Sequence, residues 1–158
     1  MRKIIKSIDI AASPDRAFDF VTHPENLLSI WPSLVEVSNV VRREDGWNSF
    51  DFGYRMAGVR VHGKTTTVRV ETNKLSKVKS EGGIPSTWVW EFLARGGGTH
   101  VNLDLEYTIP APVLGKLAEA IVAKMNEHEI HALLQNLKVA LEVAPTTAKS
   151  NESPRAHP

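Results

Sequence analysis

The stretch TWVWEFLARGGGTHVNLDLEYTIP, residues 87–110, decides the fold class. Trp88, Trp90 and Phe92 recur at every second position, and so do Leu103, Leu105 and Tyr107 beyond a run of three glycines. A period of two places each set on one face of a strand. The glycines between them supply the backbone freedom of a hairpin turn. Strands at 87–93 and 99–109 are therefore predicted to pair antiparallel, with Asp104 and Glu106 on the opposite, solvent-facing parity. The glycine run is not a phosphate loop, because no Lys-Ser/Thr follows it and it leads into a strand instead of a helix.

Moving toward the N-terminus, the same alternation predicts strands at 34–42, 47–56, 60–72 and 76–81, punctuated by Asp45-Gly46, Ala57-Gly58, Asn73 and the Gly82–Pro85 turn. Another strand is predicted at 3–10, where Ile4, Ile8 and Ile10 share one parity. Between the first two strands, Ser13 is placed to cap a short helix, with Pro14 at its first position and Ala17, Phe18 and Val21 on its apolar side. His23-Pro24 ends it, and 25–30 reads as a second short helical turn. Beyond Pro110 and Pro112, residues 113–141 are a run of helix formers without proline. From 143 to 158 apolar periodicity is lost, which predicts a flexible tail behind one folded domain at 1–142.

The order of elements is α+β: one strand, two short helices, six strands, one long helix. It lacks the strand–helix alternation of a parallel sheet, which excludes the common dinucleotide-binding folds. At 158 residues the chain is one domain in size, and 19 Lys and Arg against 18 Asp and Glu give a net charge of +1. With no charge excess, nucleic acid is not an expected partner. The absence of cysteine removes disulfides, thiolate nucleophiles and Cys-based metal sites. No stretch has the length of a membrane span, and the alternating N-terminus is unlike a signal peptide, so a cytoplasmic location is expected. Neither a cofactor nor a metal is expected. His128 and His131 stand three apart on the long helix, one residue short of the HExxH zinc spacing, and read as a solvated face.

Residues 8–21, IDIAASPDRAFDFV, continuing through His23-Pro24-Glu25-Asn26 to Trp31-Pro32, resemble the opening of the START-like, polyketide-cyclase (helix-grip) superfamily. The resemblance implies a curved, seven-stranded antiparallel sheet wrapped around the long C-terminal helix, with a hydrophobic tunnel between them. Relatives bind sterols, lipids, quinones, plant hormones or polyketides, and some are aromatase/cyclases. The opening motif is structural in those families and identifies the container more than its contents.

Strand parity nominates a lining for such a cavity. Phe50, Phe52, Tyr54 and Met56 alternate on one strand, Trp88, Trp90 and Phe92 on another, and Leu103, Leu105 and Tyr107 on a third. The same side chains would equally fill a solid core, since cavity and core use the same residue types. On the strand at 60–72, Arg60 and His62 share parity with Val68 and Val70. Without a bulge His62 is the candidate polar lining residue; with a bulge near Gly63 it turns to solvent.

On the long helix, at about 100° per residue, Leu114, Leu117, Ala118, Ile121 and Met125 form one stripe, and Ile130, Leu133, Leu134, Leu137 and Leu141 another, displaced by roughly half a turn. Leu117, Ile121 and Met125 are the candidate helix contribution to the cavity. The displacement fits a kink or unwinding at 126–129, an apolar face turned to a partner, membrane surface or ligand entrance, or a wide buried surface. Three functions stay open on these residues. They are binding or transport of a hydrophobic small molecule, a polyketide aromatase/cyclase-type enzyme, and a protein or peripheral-membrane interaction module. No catalytic residue is nominated, and oligomeric state is undetermined.

Overall fold

The hairpin at the centre of the sequence reading is formed by β6 (Ser86–Arg95) and β7 (Gly98–Tyr107), joined through Gly96 and Gly97. Both linking residues have positive φ, 55° and 81°, the backbone signature of a two-residue turn whose twist matches the strands it joins. In the computed structural model, the backbone of residues 1–56, 58–110 and 119–155 is described, and side-chain surroundings for these except 56, 59, 119–122 and 144–155.

The remaining strands are β1 (Arg2–Ile10), β2 (Leu34–Arg42), β3 (Asn48–Met56), β4 (Val59–Glu71) and β5 (Leu75–Glu81). Between β1 and β2 lie helix α1 (Pro14–Val21), a 3-10 turn (Pro24–Asn26) and helix α2 (Leu27–Ile30), and the long helix α3 spans Glu119–Arg155. The seven strands form one antiparallel sheet in the order β1-β7-β6-β5-β4-β3-β2. Every neighbour is a sequential hairpin except β1, which pairs with β7 from Arg2↔Tyr107 to Ile10↔Thr99. Strands consecutive in sequence, β1 and β2, thus occupy opposite edges, and the short helices between them must cross the sheet.

Alternation sorts the side chains as the residues predict. Val101, Leu103, Leu105 and Tyr107 of β7 are buried, whereas Asp104 and Glu106 lie on the outer face within 3.5 and 3.6 Å of the Lys3 ammonium. Ser13 takes the N-cap position of α1, but makes no side-chain hydrogen bond to the helix end. Its side chain bonds instead to the Asp15 carboxylate, which holds that carboxyl below its ordinary range.

Helix α3 decides one of the alternatives left open by its two stripes. It is α-helical without interruption through 126–129, so no unwinding separates the two apolar stripes. Its described residues run to Arg155. Of the two stripes, Ile130, Leu133, Leu134, Leu137 and Leu141 are buried against the sheet. Leu114, Leu117 and Ala118, and the side chain of Ile121, lie outside the described residues. Met125 is half-buried and packs on the core.

Polar bonds pin the half of α3 that carries the buried stripe. Asn136 Nδ2 donates to Ile30 O at 2.9 Å, and Lys138 Nζ donates to Asp9 O at 2.9 Å. Glu142 Oε2 accepts the Ala11 N–H at 2.9 Å and also the Lys138 ammonium. The Lys138 ammonium, aided by the Ala11 N–H, keeps the Glu142 carboxyl below the usual carboxylate range. A depressed folded pKa contributes stability above the unfolded carboxyl's pKa, lost as pH falls through the folded one. Glu142→Gln, which retains an acceptor for Ala11, is expected to melt below wild type at pH 7. The deficit should close as pH drops beneath the carboxylate range, as followed by circular dichroism; a deficit independent of pH would assign it to packing instead.

We propose that 1–142 is the folding unit, because the buried stripe ends at Leu141 and Val143 is already 57% exposed. A chain ended after Val143 is expected to melt at the same temperature as the full chain. A loss of several degrees would show that the later helical turns dock on the domain.

Candidate functional site

The cavity originates in a mismatch of side-chain size across one face of the sheet. Inward-facing β3, β6 and β7 carry large groups: Phe50, Phe52 and Tyr54, then Trp88 and Trp90, then Leu105 and Tyr107, all buried. Between them, β4 and β5 present Gly63, Thr65 and Thr67, then Ser76, Val78 and Ser80. Small residues in the middle of the curved sheet leave unfilled space beneath α3. Gly63 is required there: a Cβ would stand 2.3 Å from Glu81 O and 2.7 Å from the Phe52 ring, so only glycine lets that ring lie over β4.

Two adjoining cavities result, of about 60 and 40 Å³. Both touch Trp31, Phe50, Thr65, Ser80 and Trp88. A water occupies roughly 10–15 Å³ on this measure, so the larger holds a few waters or a small ring system. Trp31 walls the space from the segment after α2, its ring stacked on Tyr54 at 5.7 Å and tilted against Trp88 at 5.1 Å. Asn126, Glu129 and Ile130 of α3 roof the larger cavity, and Leu133 the smaller.

The floor is polar and largely satisfied. Thr65 Oγ1 and Ser80 Oγ lie 2.8 Å apart in a buried hydrogen bond, and Trp88 Nε1 donates to Ser86 Oγ at 2.9 Å. Thr67 Oγ1 accepts from Asn48 N and donates to Asn48 O, at 3.0 and 2.9 Å. The Tyr54 hydroxyl has no hydrogen-bond partner among the described residues. Burial pushes the Tyr54 phenol well above its ordinary pKa, so at neutral pH it stays protonated and can both donate and accept.

Of the residues nominated from sequence, Phe52, Tyr54, Trp88, Leu105 and Tyr107 line the larger cavity and Trp90 the smaller. Phe92 does not reach either. It is core, edge-on to Phe18 at 5.6 Å and stacked on Trp90 at 6.4 Å. Met125 packs on the core without lining either cavity. Leu117 and the side chains of Met56 and Ile121 lie outside the described residues.

His62 is a correction, because it is exposed on the outer face, its ring beside Gly53. Valine parity misplaced it because β4 carries a β-bulge between Thr67 and Arg69, not near Gly63. The bulge turns Val68 outward, 50% exposed, and returns Val70 to the core side, so the inward set below it is Val61, Gly63, Thr65 and Thr67.

Sequence reasoning missed Trp31, Thr65, Ser76, Ser80, Asn126 and Glu129. A signal existed on β5, where Lys77 and Lys79 alternate with Ser76, Val78 and Ser80, marking the small residues as the inward set. None existed for Glu129, whose place depends on how α3 is rotated against the sheet. Its Oε2 accepts the Ser33 N–H at 3.3 Å. Elsewhere, His100 and Arg95 meet Asp9 on the outer face, and His128 and His131 are exposed. Among the described residues, no three His, Asp or Glu side chains converge as a metal site would require.

The geometry agrees with the comparisons. Among curated proteins none matches the chain in sequence. Solved structures that share its fold include a Thermus thermophilus protein, with TM-score 0.78, 23% identity and coverage of 90% of this chain and 99% of that one. A START superfamily protein from Mycobacterium smegmatis gives TM-score 0.72 and 16% identity over 90% of this chain and 98% of that one. The Zhui aromatase/cyclase of a Streptomyces species gives 0.70 and 14% over 90% and 92%. In sequence, residues 1–142 match the family described as polyketide cyclase/dehydrase and lipid transport. The seven-stranded sheet under a C-terminal helix, the opening at 8–32 and this match over 1–142 together make the chain a member of that family, with the START-like helix-grip fold.

Proposed function

We propose that this domain, acting in the cytoplasm, binds and carries a hydrophobic small molecule held without covalent attachment between the sheet and α3. The observation that carries this reading is the aromatic-walled space created by the small residues of β4 and β5. A solidly packed domain would place Leu or Ile at Thr65, Ser76 and Ser80, because buried space left empty forfeits contacts. Six aromatic side chains line the larger cavity, as expected of a pocket that takes up a ring-bearing ligand. The few hydroxyls on the floor would fix its orientation. Ligands larger than the cavity require the side chains around Trp31 to move.

A second reading, cyclase-type catalysis, draws on the protonated Tyr54 phenol and the Glu129 carboxylate on the same cavity. Such a pair can supply and accept protons to an oriented ketone. The likeness to an aromatase/cyclase supports the same reading at the level of fold. Binding is preferred because no described nucleophile is paired with a base in the cavity.

The neutral fluorescent probe N-phenyl-1-naphthylamine is expected to bind folded protein at one equivalent per chain and to quench tryptophan emission. Ser80→Leu, which fills the floor of both cavities, should weaken binding several-fold, while Asp104→Ala on the outer face should not. Overpacking by Ser80→Leu costs about 1–3 kcal/mol, so affinities are compared between variants shown to be folded. Equal affinity in wild type and Ser80→Leu would move the site elsewhere. Failure of folded wild type to bind the probe, lipids, quinones, sterols and aromatic polyketides alike would sink both readings.

A further inference from the structure

Among the described residues the larger cavity is electrically one-sided: of those that line it only Glu129 is charged. Glu129 forms no ion pair among the described residues. Its Oε2 is held by the Ser33 N–H, which ties the carboxylate to the segment carrying Trp31 two residues earlier, and Oε1 has no hydrogen-bond partner there. Around it stand Trp31, Tyr54, Trp88, Phe50, Phe52 and Tyr107, whose ring faces are themselves negative ends of quadrupoles. Among the described residues the smaller cavity adds no charged group of either sign.

A half-buried carboxylate that meets no counter-charge among the described residues favours a cation in the cavity, and ring faces add to the attraction for the same ion. We infer that the ligand bears a protonated amine on an aromatic or otherwise apolar body, with the ammonium on Glu129 and the body among Trp31, Tyr54 and Trp88. This deepens the binding reading above and rests on it. The same electrostatics disfavour acidic amphiphiles: among the described residues an anionic head in this cavity meets hydroxyl and amide donors but no cation, and is repelled by Glu129. Fatty acids and carboxylated polyketides are therefore poor ligands, a discrimination that aromatic walls alone would not produce.

Three probes of equal shape and different charge test this: 2-naphthylmethylamine as its ammonium ion, neutral 2-naphthylmethanol and anionic 2-naphthoate, each titrated by calorimetry at pH 7. Wild type is expected to bind the ammonium about tenfold or more tighter than the alcohol, and the carboxylate weakest. Glu129→Gln keeps an oxygen for the Ser33 N–H and is expected to erase the preference for the ammonium over the alcohol. Equal binding of ammonium and alcohol by wild type overturns the inference and leaves the carrier reading standing. A preference for the ammonium that survives in Glu129→Gln overturns the assignment to this carboxylate. Binding of none of the three overturns both. The wild-type ranking needs no variant, so it decides the charge preference even if Glu129→Gln fails to fold.

Discussion

The pairing of β1 with β7 is the constraint on which the rest of the molecule depends. It joins the first strand to the last along nine residue pairs, from Arg2↔Tyr107 to Ile10↔Thr99. Once β1 is on that edge, the meander β2 to β7 must end beside it, and β2 becomes the opposite edge. Residues 11–33 then have to cross the sheet, which brings Phe18 onto Phe92 and Trp31 onto Tyr54 and Trp88. The same edge receives α3, whose Lys138 and Glu142 bond the backbone where β1 turns toward α1. Without this pairing there would be neither an anchorage for the helix nor a roof for the cavity.

A sheet with large inward residues on every strand would pack solid against α3. Here the bulk is distributed: aromatic residues on β3 and β6, aliphatic ones and Tyr107 on β7, and mostly glycine, threonine and serine on the facing parts of β4 and β5. The hydroxyls tolerate burial because they satisfy one another, as Thr65 with Ser80, or the backbone, as Thr67 with Asn48. The cavity is therefore a built feature, with polar groups paired along the floor and rings along the walls. Against that background the Tyr54 hydroxyl and Glu129 Oε1 stand out as cavity-lining groups that have no hydrogen-bond partner among the described residues.

The described contacts of α3 run from one end of its buried stripe to the other. From Glu129 to Glu142 it is held by the buried leucine stripe and by bonds to Ser33, Ile30, Asp9 and Ala11. Glu129 stands at the first of these bonds and is also a wall of the cavity. The group that fastens the helix to the Trp31 segment is thus also a lining group of the cavity.

By itself the sequence determined what depends on neighbours along the chain. Alternation of Trp88, Trp90 and Phe92 with outward residues, the double glycine at 96 and 97, and the leucines from 133 to 141 dictate strands, turn and helix, because side-chain parity and backbone preferences are local properties. The opening at 8–32 carried the family likeness, and with it the container. Only the tertiary structure decided what depends on partners distant in sequence. A bulge at Thr67–Arg69 adds one residue to β4 and reverses the parity of everything on one side of it, so His62 went to solvent while Thr65 came inside. The seat of Glu129 against Ser33, 96 residues away in the chain, follows from the rotation of α3 on the sheet. That rotation is chosen by packing among Ile130, Leu133 and Leu137 and their contacts, and no local pattern encodes it.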